Sequence, residues 1–237
     1  MTEALPGLDT TPAIGPLLQH ELGGAVEVLA RAFRDNPLNV AVIGDDPVRR
    51  LRSNRHGMRA LLPVAMQHAE VLAGRTGDRA RGFLIASPPR AHPLPAPSLL
   101  ARLRCLIGQG PRVVRRWEEV FVRLSLEHPN LPHWYVGTLG VAPEAQGTGT
   151  GGTLLAALLR RADAEGSPVY LETDRRENVA FYERRGFRVE GELELLGVPV
   201  WRMWRPSDPE RERNFHNSGN RLPPRRPRFH QERFRNR

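Results

Sequence analysis

The run Gln146-Gly147-Thr148-Gly149-Thr150-Gly151 lies between a segment that reads as a strand and one that reads as a helix, and it constrains the fold more than any other stretch. Upstream, His133 to Val141 is aromatic and β-branched and ends at Ala142-Pro143. Downstream, Gly152 to Glu165 carries Leu154, Leu155, Leu158, Leu159 and Ala162 on one helical face, with Gly166 as a stop. Glycines at alternate positions let backbone N–H groups converge without interference from Cβ. The helix behind them adds unpaired N–H groups and the positive end of its dipole. A strand–loop–helix cradle of this kind binds phosphate or pyrophosphate. Its bland alternative is a glycine-rich turn with no ligand.

Two common phosphate loops can be set against it. A Walker loop needs Lys and then Ser or Thr after its last glycine, whereas Gly151 is followed by Gly152-Thr153. Gly147, Gly149 and Gly152 formally match a dinucleotide fingerprint, but that motif belongs to the first βαβ unit and not past the middle of a chain. Neither fits.

The following segment supplies the missing context. Val169 to Thr173 reads as a short strand, and after Asp174-Arg175-Arg176-Glu177 come Asn178-Val179-Ala180-Phe181-Tyr182 and Gly186-Phe187. Together with Val-x-Pro-x-x-Gln-Gly-x-Gly-x-Gly before it, this string resembles the GNAT superfamily of acetyl-CoA-dependent N-acetyltransferases. The His-Trp-Tyr opening, Leu171-Glu172-Thr173 and the stretch from Trp201 to Pro206 look most like the puromycin N-acetyltransferase group. The resemblance covers Trp134 to Pro206. It implies a GNAT-like α/β fold, with a mixed, largely antiparallel central sheet flanked by helices and splayed at the cofactor site.

The resemblance also implies roles. Amide groups from Gln146 through Gly147, Thr148, Gly149, Thr150 and Gly151 would hold the CoA pyrophosphate. Gly140 fits a bulge where the strands splay, and Leu139, Gly140 and Val141 would line the pantetheine arm, a backbone N–H there serving as oxyanion donor. Asn178 would hydrogen-bond the pantetheine amide or cap a helix, two roles that do not conflict. Tyr182 is the candidate acid, because a phenol pKa of ~10 is close to that of a leaving thiol; otherwise it is a packed aromatic beside Phe181. Glu172 shares strand parity with Tyr170, and a half-buried carboxylate is costly unless paired. It would take a proton from the amine, bind a cationic substrate, or pair with an Arg such as Arg175. His133 and His128 are alternative bases. One departure stands out: Thr148 occupies a position where the family usually has Arg or Lys, and Thr150 one that is usually apolar.

Composition bears on the remaining classes. All 35 basic residues are Arg, which fits a coding bias better than selection for phosphate binding. Ser207 to Arg237 holds nine Arg against four acidic residues and Leu222 as its one aliphatic residue, so it is expected to be a disordered tail. That tail would give weak, salt-dependent attachment to nucleic acid at most, and residues 1–206 would form the single acetyltransferase domain. Cys105 is the only cysteine, excluding an internal disulfide and a multi-cysteine metal site, and its helical apolar surroundings suggest an inert buried thiol. No apolar run approaches the ~20 residues that span a bilayer, and Met1 to Gly7 lacks the features of a secretory signal. The expectation is a cytoplasmic monomer or homodimer that needs no metal. It would transfer acetyl from acetyl-CoA directly to the primary amine of a small molecule, with no specific nucleic-acid or membrane partner. A non-catalytic acyl-CoA sensor is the alternative from another class.

Secondary structure can be read along the chain as well. Helices are expected over Gly24 to Arg34, Pro47 to Ala69, and Ser98 to Leu126 with a break at Gly108 to Pro111. Strands are expected at Glu70 to Ala73 and Arg81 to Ala86, and a final pair over Phe187 to Leu195 and Val198 to Trp204 turns near Gly197.

Overall fold

The computed structural model describes residues 12–207. In chain order they form β1 (Ala13–Pro16), α1 (Leu22–Ala32), α2 (Pro37–Ile43), α3 (Pro47–His68), β2 (Glu70–Thr76) and β3 (Arg79–Ser87). There follow α4 (Leu99–Gln109), α5 (Pro111–Glu127), β4 (Trp134–Val141), α6 (Thr150–Ala164), β5 (Val169–Thr173), α7 (Arg176–Glu183), β6 (Arg188–Leu195) and β7 (Val198–Arg205). The seven strands make one sheet in the order β1-β2-β3-β4-β5-β7-β6, and every pair is antiparallel except β4 with β5. This is the mixed, largely antiparallel sheet with flanking helices expected from the sequence.

Local chemistry sets most boundaries. Asp46 accepts a hydrogen bond from Val48 N at 2.9 Å and Pro47 opens α3, a favourable start because proline lacks the N–H that would be unpaired there. Ser98 caps α4 through Ala101 N at 3.3 Å. Gly110, at φ +87°, separates α4 from α5, and Gly166, at φ +61°, ends the turn after α6. The β2–β3 hairpin closes at Gly77, φ +57°. β1 and α2 carry no periodic signal of their own. β1 is recruited as an edge strand by pairing with β2, and α2 is held by Asp174, whose carboxylate accepts from Leu38 N at 2.9 Å and Asn36 Nδ2 at 3.4 Å.

Three apolar clusters divide the interior. On one face of the sheet Leu84, Val136, Leu171 and Met203 pack under α6 and α7, together with Leu154, Leu155 and Leu158. On the other face Phe83, Ile85, Val71 and Ala73 meet α1 and α3 through Leu29 and Leu62. Further along that face Val200 and Leu195 are covered by Val42 and Ile43 of α2 and by Val113 and Val120 of α5. The helix carrying Cys105 departs from expectation. Gly108 and Cys105 face α3, the thiol reaching His56 O at 3.3 Å, while Leu99 (79% exposed) and Ile107 (75% exposed) face outward. Cys105 is therefore half-buried, and burial pushes its thiol pKa up, which fits an inert group. Residues 208–237, where the sequence suggests an Arg-rich tail, lie outside the described part. Among the described residues no helix is long and apolar enough to cross a membrane.

Candidate active site

The parallel ladder between β4 and β5 runs only from Trp134/Val169 to Val136/Leu171. β4 continues to Val141 and β5 to Thr173, so beyond Val136 the two strands part and one edge of Gly137 to Val141 faces no strand. A bulge sits at the mouth of this split: Ile85 pairs with Thr138 and Ala86 with Val136, leaving Gly137 without a partner on β3. The bulge was expected at Gly140. Gly140 instead pairs with Phe83, and a Cβ there would come within 2.6 Å of Leu29 Cδ2 and 3.0 Å of Phe33, so glycine is needed for close packing of α1. Leu139, Gly140 and Val141 all lie along the open edge.

β4 leads through a turn at Pro143–Ala145 into the glycine loop. Gly147 (φ +80°) and Gly149 (φ +88°) occupy the left-handed region, and side chains there would meet nothing within 4 Å. Gly149 directly precedes α6, no side chain caps that end, and the first intrahelical bond is Thr153 N to Gly149 O at 3.0 Å. The N–H groups of Thr150, Gly151 and Gly152 are thus free of intrahelical partners. The helix begins two residues earlier than the apolar periodicity suggests, because the periodicity reads the buried stripe and not the turn before it. Gln146 Nε2 steadies the loop by donating to Val141 O at 3.2 Å. Thr148 Oγ1 donates to Ala145 O at 2.8 Å and lies 3.0 Å from Thr150 Oγ1. Thr150 is buried, and its methyl would be 3.0 Å from a Cβ on Gly74 or Gly82, so it serves the apolar role that its position usually has.

A cation missed in the sequence stands beside this helix end. Arg185 Nη2 lies 2.6 Å from the point where a Gly152 Cβ would be. The guanidinium sits 3.7 Å over the Phe181 ring and donates to Phe181 O at 2.7 Å. The signal was present as the second Arg of Arg184-Arg185-Gly186, but nothing local says that it folds back onto α6.

Strand parity turns Glu172 away from the face on which Leu171 and, from α7, Tyr182 pack. Tyr182 packs with Phe181 and Phe187 in the core under α6 and α7, and burial pushes its phenol pKa well up. The close match to a thiol pKa therefore does not survive folding; the phenol stays protonated throughout the physiological range. Asn178 lies in the first turn of α7, where Arg175 is the N-cap, so its cap role is not realised. Its Nδ2 donates to Thr173 Oγ1 at 3.2 Å and ties α7 to the open end of β5.

Glu172, the first β5 residue past the β4 ladder, points with Tyr170 to the α1/α5 side. Its carboxyl is raised to about 7 by burial, an effect reduced by the hydroxyls of Tyr135 and Tyr170 and by Arg202. Arg175 pairs with Glu177 at 3.9 Å and not with Glu172. Tyr135 and Tyr170 hydrogen-bond Glu172, and around Tyr170 gather His128, His133 and Trp204. His133 Nδ1 donates to Leu131 O at 2.5 Å, so its Nε2 accepts from His128 Nε2–H at 3.0 Å. Burial pushes His92 down to about 4 and lowers His133, keeping both neutral. His92 stacks on His128 at 4.1 Å and meets Tyr135 at 4.4 Å; it comes from the loop between β3 and α4 and was not foreseen as part of this group. Among the described residues no group of three or more His, Cys, Asp or Glu is arranged to hold a metal ion.

Residues 112–187, from α5 to the Phe187 that follows α7, match the acetyltransferase (GNAT) family. Solved structures share the architecture. The histone acetyltransferase HPA2 and related acetyltransferase from Corynebacterium glutamicum aligns with a TM-score of 0.62 and 23% identity, over 83% of this chain and 96% of that one. Arylalkylamine N-acetyltransferase 2 from Aedes aegypti gives 0.56 and 12%, over 83% and 99%. An N-acetyltransferase from Staphylococcus aureus gives 0.54 and 15%, over 81% and 99%. The matched segment carries both the glycine loop and the split between β4 and β5, and over it the chain is similar to the acetyltransferase (GNAT) family.

Proposed function

We propose that the protein is an acetyl-CoA-dependent N-acetyltransferase that acetylates the primary amine of a small molecule by direct transfer. The observation that carries this reading is the split between β4 and β5, with Glu172 on one face, Tyr182 on the other, and uncapped amides of α6 beyond its open end. The glycine loop suits a pyrophosphate, since open space lies outside Gly147 and Gly149. Amides from Gln146 to Gly151 would hold it, with Arg185 providing the charge that Thr148 lacks, while Leu139, Gly140, Val141 and Asn178 would line the pantetheine. Acetyl-CoA supplies the acetyl thioester; the protein's part is to position it and move protons. Glu172, titrating near neutrality, would accept the proton of the amine. Tyr182 would donate to the departing sulfur. The placing of acid and base on opposite sides of the sheet suits an amine that approaches from the side away from the leaving group. The Leu171-Glu172-Thr173 and Trp201 to Pro206 stretches support a puromycin N-acetyltransferase-like member. We take residues 1–206 as its domain, with an Arg-rich tail behind, in the cytoplasm.

Incubating the protein with acetyl-CoA and a panel of small amines, with detection of free thiol and of N-acetyl product, tests the reading. One thiol released per acetylated amine is expected. Acetyl-CoA binding with no turnover on any amine would leave only a binding module.

A further inference from the structure

α4 presents to solvent the side that a helix ordinarily buries. With about 100° between successive residues, Leu99, Leu100, Leu103, Leu106 and Ile107 make one continuous stripe, and all five are between 40% and 79% exposed. The opposite side, with Cys105 and Gly108, is the one that packs on α3, where Gln109 Nε2 also donates to Ser53 O at 3.0 Å. Arg102 and Arg104 are exposed and stand about 100° to either side of Leu103, so each borders the stripe. Val48 of α3, 74% exposed, extends the apolar surface: with Ile107 it lines a groove of about 450 Å³ whose charged wall is Arg49 and Arg52. The carboxylate that also lines it, Asp46, caps α3 through Val48 N. Among the described residues none of Arg49, Arg52, Arg102 and Arg104 forms an ion pair. A contiguous apolar patch with a polar rim marks an interaction surface.

We propose that this face seats the protein on an anionic lipid surface. α4 would lie in the plane of the membrane, its stripe in the acyl boundary and the four Arg on headgroup phosphates. Charge decides the occupant. No Asp or Glu occurs between Asp78 and Glu118, so a second copy docked face to face would set Arg against Arg around the stripe with no acid from this stretch to match them. An anionic bilayer supplies both halves of the match: an apolar layer for Leu and Ile, and phosphates for guanidinium groups whose stems lie along it. A helix that lies on a membrane needs no apolar run of ~20 residues, so the lack of a spanning segment does not bear on it. The attachment is peripheral and weakens as salt screens the Arg.

Co-sedimentation of the full chain with vesicles tests this. Mixed phosphatidylglycerol–phosphatidylcholine vesicles should hold the protein roughly tenfold or more tightly than phosphatidylcholine alone, the scale of two or more Arg near an anionic surface. Leu103→Gln combined with Ile107→Gln should abolish retention and leave the melting temperature unaltered, since both side chains are exposed. Arg102→Gln combined with Arg104→Gln should reduce the preference for the anionic vesicles about tenfold at low salt. Absence of retention on the mixed vesicles would overturn the proposal. So would retention that the Leu103 and Ile107 substitutions leave intact, since the Arg-rich segment after Pro206 would then hold the lipid. A dimer in sedimentation velocity that those two substitutions dissociate would also overturn it, because a second copy would then cover the stripe.

Discussion

At the scale of single residues, burial decides what the sequence leaves open for Glu172 and Tyr182. A carboxyl whose pKa rises from 4.5 to about 7 on folding favours the folded state when protonated. Its contribution is fully present below pH 4.5 and is lost as pH climbs through 7, a cost of up to about 3 kcal/mol above that. Glu172→Gln should therefore raise the melting temperature by several degrees at pH 8 and by nearly nothing at pH 4.5, while abolishing most turnover. A melting curve equally shifted at both pH values would show that packing and not charge is responsible. In the native protein kcat/KM should rise with pH through about 7 as the proposed base is freed. Tyr182→Phe retains the ring in its contacts with Phe181 and Phe187 and removes only the proton. Turnover should fall about 10²-fold or more in kcat and kcat/KM alike, with CoA affinity unchanged by titration; a rise in KM alone would assign the hydroxyl to substrate binding.

At the scale of elements, the end of α6 is the part whose geometry can be broken without touching the core. Gly149→Val forces a β-branched residue into a left-handed backbone at φ +88°, and its side chain would project where we propose that the pyrophosphate binds. Acetyl-CoA binding should be lost while circular dichroism at room temperature stays native. Arg185 belongs to the following helix-turn yet lies against Gly152. Arg185→Gln should weaken acetyl-CoA binding about tenfold at low salt, and the difference should shrink as ionic strength rises. Salt-independent weakening would point instead to lost packing on Phe181.

At the scale of the whole molecule, the sheet joins two groups that are far apart along the chain: the glycine loop after β4, our proposed phosphate cradle, and a histidine–tyrosine–carboxylate cluster drawn from the His92 loop, the end of α5, β4, β5 and β7. The Arg-rich segment is a different matter. Removing Ser207 to Arg237 should leave the melting temperature within a few degrees and acetyl-CoA affinity unaltered, because that stretch has too few aliphatic residues to contribute a core contact. A larger fall in a thermal scan would mean that it packs on the domain.

The amino-acid sequence determined by itself the elements whose cause is local. The 3.6-residue stripe of α6, the β2–β3 hairpin around Gly77, the break at Gly110 and the two family motifs can all be read from neighbours a few positions apart. The same holds for Glu172, Tyr182, Asn178 and the loop glycines as candidates. Tertiary structure alone decided what depends on distant partners. β1 exists because β2 offers an edge, and α2 because Asp174 caps it from 136 residues away. Gly140 is glycine for the sake of Leu29, and the bulge falls at Gly137, where the β3 register skips a residue. The return of Arg185 to α6, the outward leucines of α4, and the meeting of His92 with His128 and Tyr135 have the same origin. Side-chain type and local spacing are written along one dimension, whereas desolvation, close approach and unmet hydrogen bonds arise only once the chain is packed.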